Sequence, residues 1–145
     1  MTTQHRGVCA ITYDDAGSLF FLIVHRTIPV AGWELPSLST QSDNTLADEE
    51  EIELLKTLLL EHLGLERSRI VARFPNHHTI RLGDNEHTRT IFIVETSMSM
   101  PVNLTSNEHD SYLWAREESA DEKLSWESEK RILAQAAASL KAQRR

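Results

Sequence analysis

Trp33-Glu34-Leu35-Pro36, a polar stretch from Ser37 to Thr45, and a leucine-rich segment from Asp48 to Gly64-Leu65 form the part of the chain that decides the reading. The leucine-rich segment predicts a helix. Asp43, Asn44 and Thr45 are N-cap candidates, and Asp48, Glu49, Glu50 and Glu51 place negative charge at the positive end of the helix dipole. Leu55, Leu59 and Leu63 recur every four residues with Ile52 one turn earlier, which makes one apolar stripe that Leu54 and Leu58 widen. Gly64 is the natural residue for the left-handed position that ends a helix. The stretch Ser37 to Thr45 lacks glycine, is poor in apolar residues, and reads as a loop.

A strand ending in Trp-Glu-Leu-Pro, then a loop and an acidic helix closed by Gly-Leu, resembles the Nudix hydrolase family, whose signature runs G-x5-E-x7-R-E-U-x-E-E-x-G-U with U aliphatic. Counted back from Gly64-Leu65, the aliphatic position is Leu59, the first glutamate of the pair is Glu61, and the upstream glutamate is Glu49. The arginine position is Thr57, its neighbouring glutamate is Leu58, and the second glutamate of the pair is His62. Pro36 is followed by Ser37-Leu38 where the family usually has two glycines. The frame of the box is kept and much of its chemistry is replaced. Magnesium prefers an octahedral oxygen shell with carboxylates and substrate phosphate, whereas leucine offers no ligand and imidazole suits softer metals. On an α-helix positions 58, 61 and 62 share a face, so the resemblance puts a leucine, a glutamate and a histidine where the family has its metal ligands.

Length and composition fit this frame. With 145 residues, 40% of them hydrophobic, the chain is expected to form one domain with a substantial core. The single cysteine, Cys9, lies in an apolar run and has no internal partner, which points to a reducing, intracellular (cytoplasmic) setting. No apolar run reaches membrane-spanning length, so no membrane partner is expected. The net charge of -7 argues against a broadly basic nucleic-acid surface while leaving room for a local basic cleft.

Residues 7 to 13 and Ser18 to His25 read as a hairpin around Asp14-Asp15-Ala16-Gly17. Phe20 to Val24 is apolar on both faces, as in a central strand covered on each side. Arg26 follows, either as a solvated arginine at a strand end or, under the resemblance, as a phosphate contact. The run Asp48 to Glu51 is read as a solvated first turn, with replacement metal ligands as the other reading. Arg69 to Phe74, Thr79 to Leu82 and His87 to Thr96 suggest a strand meander turning at Gly83-Asp84-Asn85. His77 and His78 face opposite sides of a strand and are expected at exposed positions; a site joining one of them to His87 fits no familiar metal spacing. Ser125 is an N-cap candidate for a last helix that carries Trp126, Leu133, Ala137 and Leu140 on one face and Lys141, Arg144 and Arg145 at its end.

The segment Leu104-Thr105-Ser106-Asn107-Glu108-His109, followed by Tyr112-Leu113-Trp114 and Glu117 to Ala120, resembles the diadenosine tetraphosphate hydrolase branch of the same family. That likeness implies a metal or base role for Glu108, base stacking by Tyr112, and phosphate contact by Arg89, which stands where the branch has a lysine. Read without it, Tyr112 is a core residue of a strand. Together the two resemblances imply an α/β/α sandwich around a mixed sheet. Three functions follow. In the first, the domain binds a nucleotide or nucleoside diphosphate derivative, an RNA end or a protein partner, with little or no hydrolysis and no cofactor. In the second, a divergent hydrolase uses magnesium or manganese on Glu61 and Glu108, with Glu49 or a neighbour reaching in. In the third, a structural subunit uses the leucine-rich helix face as an interface.

Overall fold

The computed structural model describes residues 2–143, apart from the side chains of Pro75 and Asn76. The basic pair Arg144 and Arg145 expected at the end of the last helix lies outside the described residues. Two long strands begin the chain, β1 (Thr3–Asp15) and β2 (Leu19–Arg26), and they pair antiparallel near their turn, with Tyr13 opposite Phe21. Next come β3 (Gly32–Glu34), β4 (Ser37–Gln41) and helix α1 (Asp48–Lys56), which runs on as a π-helical turn from Thr57 to His62. Strands β5 (Arg69–Leu82) and β6 (Asn85–Glu95) form the second hairpin, and β7 (His109–Ala115) leads into α2 (Glu117–Lys123) and α3 (Glu127–Gln143). Gly83 turns the β5–β6 corner at φ 62°, a left-handed conformation that glycine adopts without strain.

The sheet is mixed, in the order β3-β2-β1-β6-β5, with β4 added on β1 and β7 on β2. Only β1 and β6 run parallel among these pairs, from Thr3 opposite Asn85 to Tyr13 opposite Glu95. Along one border β1 changes partner. Its first half bonds β4, from His5 opposite Gln41 to Cys9 opposite Ser37, and its last residues bond β2. A gap therefore opens between β4 and the β2–β3 pair.

Period-two alternation distributes the central strands between two cores. Ile11, Phe21, Ile23 and Ile93 face α3 and pack on Leu133, Ala136, Ala137 and Leu140. Val8, Ala10, Leu22, Val24 and Phe92 face α1 and pack on Leu55, Leu58, Leu59 and Leu63. The expected α/β/α sandwich around a mixed sheet is the observed architecture.

Several local expectations need correction. The segment expected as a loop from Ser37 to Thr45 begins with strand β4, because a polar stretch extends readily where β1 offers a free edge. Gly7 makes the approach: a Cβ there would lie 2.1 Å from the Leu38 carbonyl oxygen. Neither Asp43, Asn44 nor Thr45 caps α1; the N-cap is Ala47, whose N–H donates to the Glu50 carboxylate 3.0 Å away. Glu51 is not part of a solvated turn. It is 3% exposed, bonds Arg73 at 3.0 Å and accepts the Thr90 hydroxyl, which pins α1 to the sheet. Ser125 does not cap α3. Its N–H and hydroxyl instead tie Trp33, at 3.0 and 3.1 Å.

Candidate functional site

The helix and the loop beyond it set the geometry at the box. Leu63 N–H bonds the Leu58 carbonyl at 3.0 Å, the i to i+5 pattern of a π-turn, and Gly64 closes the segment at φ 69°. The last carbonyls are satisfied from outside the helix. Thr105 donates through its hydroxyl to the Glu61 carbonyl and through its N–H to that of His62, and Asn103 N–H bonds Leu63. A π-turn holds more residues per turn than an α-helix, so Glu61 is swung off the face that Leu58 occupies. Leu58 is 2% exposed and belongs to the core, Glu61 is exposed, and His62 turns inward to the wall of a cavity.

That cavity, of 420 Å³, occupies the gap between β4 and the β2–β3 pair. Its wall carries His5, Ser37 and Ser39 from β1 and β4, His87 and Arg89 from β6, Arg26 from β2, His62 from the π-turn, and Glu108 and His109 from the segment entering β7. Behind it lies a buried ionic cluster. Arg26 bonds Glu34 through Nη2 at 2.7 Å and Nε at 2.8 Å, and His109 Nε2 donates to the same carboxylate at 2.6 Å. Arg26 also donates to the Ile28 carbonyl at 3.0 Å and lies 3.4 Å from Glu108. Arg26 is thus not a solvated arginine: it is 5% exposed, because Glu34 and the loop after β2 enclose its head.

Burial alone would raise the Glu34 carboxyl, but the His109 hydrogen bond and the Arg26 charge outweigh it and hold the group below its ordinary value. Glu129 on α3 goes the other way. Complete burial, aided by the charge of Glu34, pushes it up to about 8, and its Oε1 accepts the Leu35 N–H at 3.0 Å. The central cation is Arg89. It is 2% exposed, its Nε donates to Ser39 Oγ at 3.3 Å, and among the described residues it makes no ion pair. Arg89 Nη1, Ser37 Oγ and His87 Nδ1 are all buried without a hydrogen-bond partner. Three unpaired polar atoms thus belong to the wall of one cavity, where buried polar groups ordinarily have partners. His87 stacks on His5 with ring centroids 4.4 Å apart, and burial, followed by the charge of Arg89, lowers its pKa to about 3.

Of the residues singled out from sequence, Arg26, Arg89 and Glu108 meet in this cavity. Glu49 is exposed in the first turn of α1 and Glu61 is exposed outside the cavity wall. Among the described residues no three histidine, cysteine, aspartate or glutamate side chains form a metal-binding group. At the box, Leu58 is buried and apolar and His62 is an imidazole, so Glu61, exposed and outside the cavity wall, is the carboxylate that the helix keeps there. Tyr112 is not a core residue; it is 42% exposed on β7. His77 is exposed as expected, but His78 is buried against Ser128, and His87 meets His5 rather than either of them. The sequence did not single out Glu34, His109, Ser37, Ser39 or His5. The buried acid in Trp-Glu-Leu-Pro and the basic residue ending β2 were the available signals.

Comparison with solved structures gives the architecture a name. A C. elegans Ap4A hydrolase in binary complex superposes with a TM-score of 0.77 at 16% identity, over 97% of this chain and 99% of that one. The chain has the Nudix fold. The E. coli dihydroneopterin triphosphate pyrophosphohydrolase, a Nudix-fold match, gives 0.71 at 12% identity, over 96% and 99%. The NUDIX domain of Shewanella oneidensis NrtR, complexed with ADP ribose, gives 0.66 at 13% identity, over 97% and 89%. No protein-family model matches the sequence, and no curated protein matches it. At these identities the Nudix likeness is one of fold. No helix of the described residues is long and apolar enough to cross a membrane.

Proposed function

We propose that this Nudix-fold protein binds a nucleotide or nucleoside diphosphate derivative in the Arg26–Arg89 cavity through its own donors, with little or no metal-assisted hydrolysis. The observation that carries the reading is Arg89, a buried guanidinium without an ion pair, beside the unpartnered Ser37 hydroxyl and His87 ring nitrogen. Arg89 feels Glu34 and Glu129 only at a distance, and a buried guanidinium with no direct ion pair and an unbonded Nη1 is costly. A phosphate oxygen on Nη1 offsets that cost with a charge-assisted hydrogen bond. Arg26, already neutralised by Glu34, shapes the cavity and leaves Arg89 as the anion's main contact. The His5–His87 stack, in which His87 is uncharged near neutrality, offers an aromatic surface beside it, suited to a base.

Ligand class comes by analogy from the neighbours that bind or act on ADP ribose and Ap4A. Nudix hydrolases generally use magnesium or manganese, and in this chain Glu61 and Glu108 are the carboxylates that such an ion would need, with Glu49 in the first turn of α1. The interface reading loses its main support. The leucine-rich face is spent on the core, with Leu55, Leu58, Leu59 and Leu63 buried and Leu60 exposed.

Turnover is the direct test. Diadenosine tetraphosphate and ADP-ribose, incubated with the protein in magnesium or manganese, are expected to remain intact by chromatography. Product formation that Glu61→Gln abolishes would overturn the proposal and establish the divergent hydrolase.

A further inference from the structure

A second cavity, of 650 Å³, lies between α3 and the outer strands β5 and β6, and shares no wall residue with the Arg89 cavity. We propose that it is a separate binding site for a small aromatic anion, with the ring against Phe74 and Ile132 and the anionic group on Arg131. Its volume falls within the range of small-molecule pockets, about 300 to 1,000 Å³.

Charge selects the ligand's sign. The chain carries 22 acidic residues, yet none of them lines this cavity. Arg131 stands at its rim, exposed, and among the described residues it makes no ion pair, whereas its helix neighbour Lys130 lies 3.5 Å from Glu127. An anion entering meets a free guanidinium and no repelling carboxylate. The floor selects the ligand's body. Ile91 and Ile132 are buried and Phe74 is partly buried, and these three give the otherwise polar wall an apolar patch that takes a ring by burial of apolar area.

The wall contains an unfinished polar group, which an empty structural crevice does not require. His78 is 4% exposed, its Nε2 lies 2.8 Å from Ser128 Oγ, and its Nδ1 has no partner. Burial first, then the charges of Arg89 and Arg131, lower its pKa to about 4, so near neutrality it is an uncharged imidazole with one nitrogen unused. A ligand that draws His78 toward the cavity gives that nitrogen its bond. In the Arg89 cavity, by contrast, the cation is itself buried.

Fluorescence titration with 1-anilinonaphthalene-8-sulfonate on the folded protein tests the proposal, beside its uncharged analogue N-phenyl-1-naphthylamine. Saturable one-to-one binding of the sulfonate is expected. Arg131→Gln, at an exposed position, should weaken it about tenfold, and the uncharged dye should bind both proteins equally and about tenfold more weakly. Cross-saturation from the dye to the Ile91 and Ile132 methyls should locate it. The proposal is overturned by the absence of saturable binding below about 1 mM, by equal affinity in Arg131→Gln, or by cross-saturation confined to other methyls.

Discussion

Glu129→Gln isolates the most perturbed carboxyl in the fold. Glu129 is fully buried, holds the Leu35 N–H at the start of the segment leading to β4, and titrates at about 8 because of burial and the nearby charge of Glu34. In the unfolded chain the same group titrates at about 4.5. A carboxyl whose folded pKa is raised binds its proton more tightly in the native state. Its contribution is therefore fully present below about pH 4.5 and is lost as pH rises toward 8. Integrated from pH 5 to pH 8, this amounts to roughly 3 kcal/mol of lost stability. Glutamine keeps an oxygen for Leu35 and carries no charge, so the variant escapes that loss. His78 and His87, lowered to about 4 and about 3, act in the opposite sense below their unfolded pKa of 6.5, losing stability as pH falls. They are common to both proteins, so the difference between variant and parent removes them. Urea unfolding at pH 5 and pH 8 measures it. The two proteins should be nearly equal at pH 5, and the variant should be about 3 kcal/mol more stable at pH 8. Parallel pH profiles would refute the raised carboxyl and the burial argument behind it.

Gly7→Ala places a methyl 2.1 Å from the Leu38 carbonyl and 2.6 Å from Ser39 Cα, both backbone, so β4 must leave β1 or shift. A loss of about 1 to 3 kcal/mol is expected in urea unfolding, together with faster amide exchange from Ser37 to Gln41. Leu58→Glu restores the family's box glutamate in sequence but sets a carboxylate in the core beside Leu55 and Leu59. It is expected to cost more than about 3 kcal/mol in the same assay and to confer no magnesium binding by calorimetry.

The elements legible in the sequence are those whose signal is local. The β1–β2 hairpin, the run Phe20 to Val24, the stop at Gly64, the turn at Gly83 and the face of α3 each follow from periodicity or from one glycine. The elements that were not legible depend on a partner elsewhere. β4 is a polar strand only because β1 offers an edge, and Ser125 serves Trp33 instead of capping a helix. The π-turn is one hydrogen-bond slip within an otherwise helical pattern, and it is what separates Glu61 from Leu58. The site divides in the same way. Arg26, Arg89 and Glu108 were singled out through the resemblance, while the burial of Arg26 requires Glu34 and His109, and His109 lies 75 positions from Glu34. Residue type alone cannot report that Arg89 makes no direct ion pair among the described residues, since that follows only once β1, β4 and β6 stand side by side.

The central claim is that the Arg89 cavity holds its ligand without a metal. Calorimetric titration of ADP-ribose in the presence of EDTA, repeated with magnesium, tests it most directly, using the parent protein, Arg89→Gln and Arg89→Lys, each first shown to unfold cooperatively in urea. Equal affinity with and without the ion is expected, with Arg89→Gln at least about tenfold weaker and Arg89→Lys between the two. Binding that appears only when magnesium is added, or that Arg89→Gln leaves unchanged, would contradict the account.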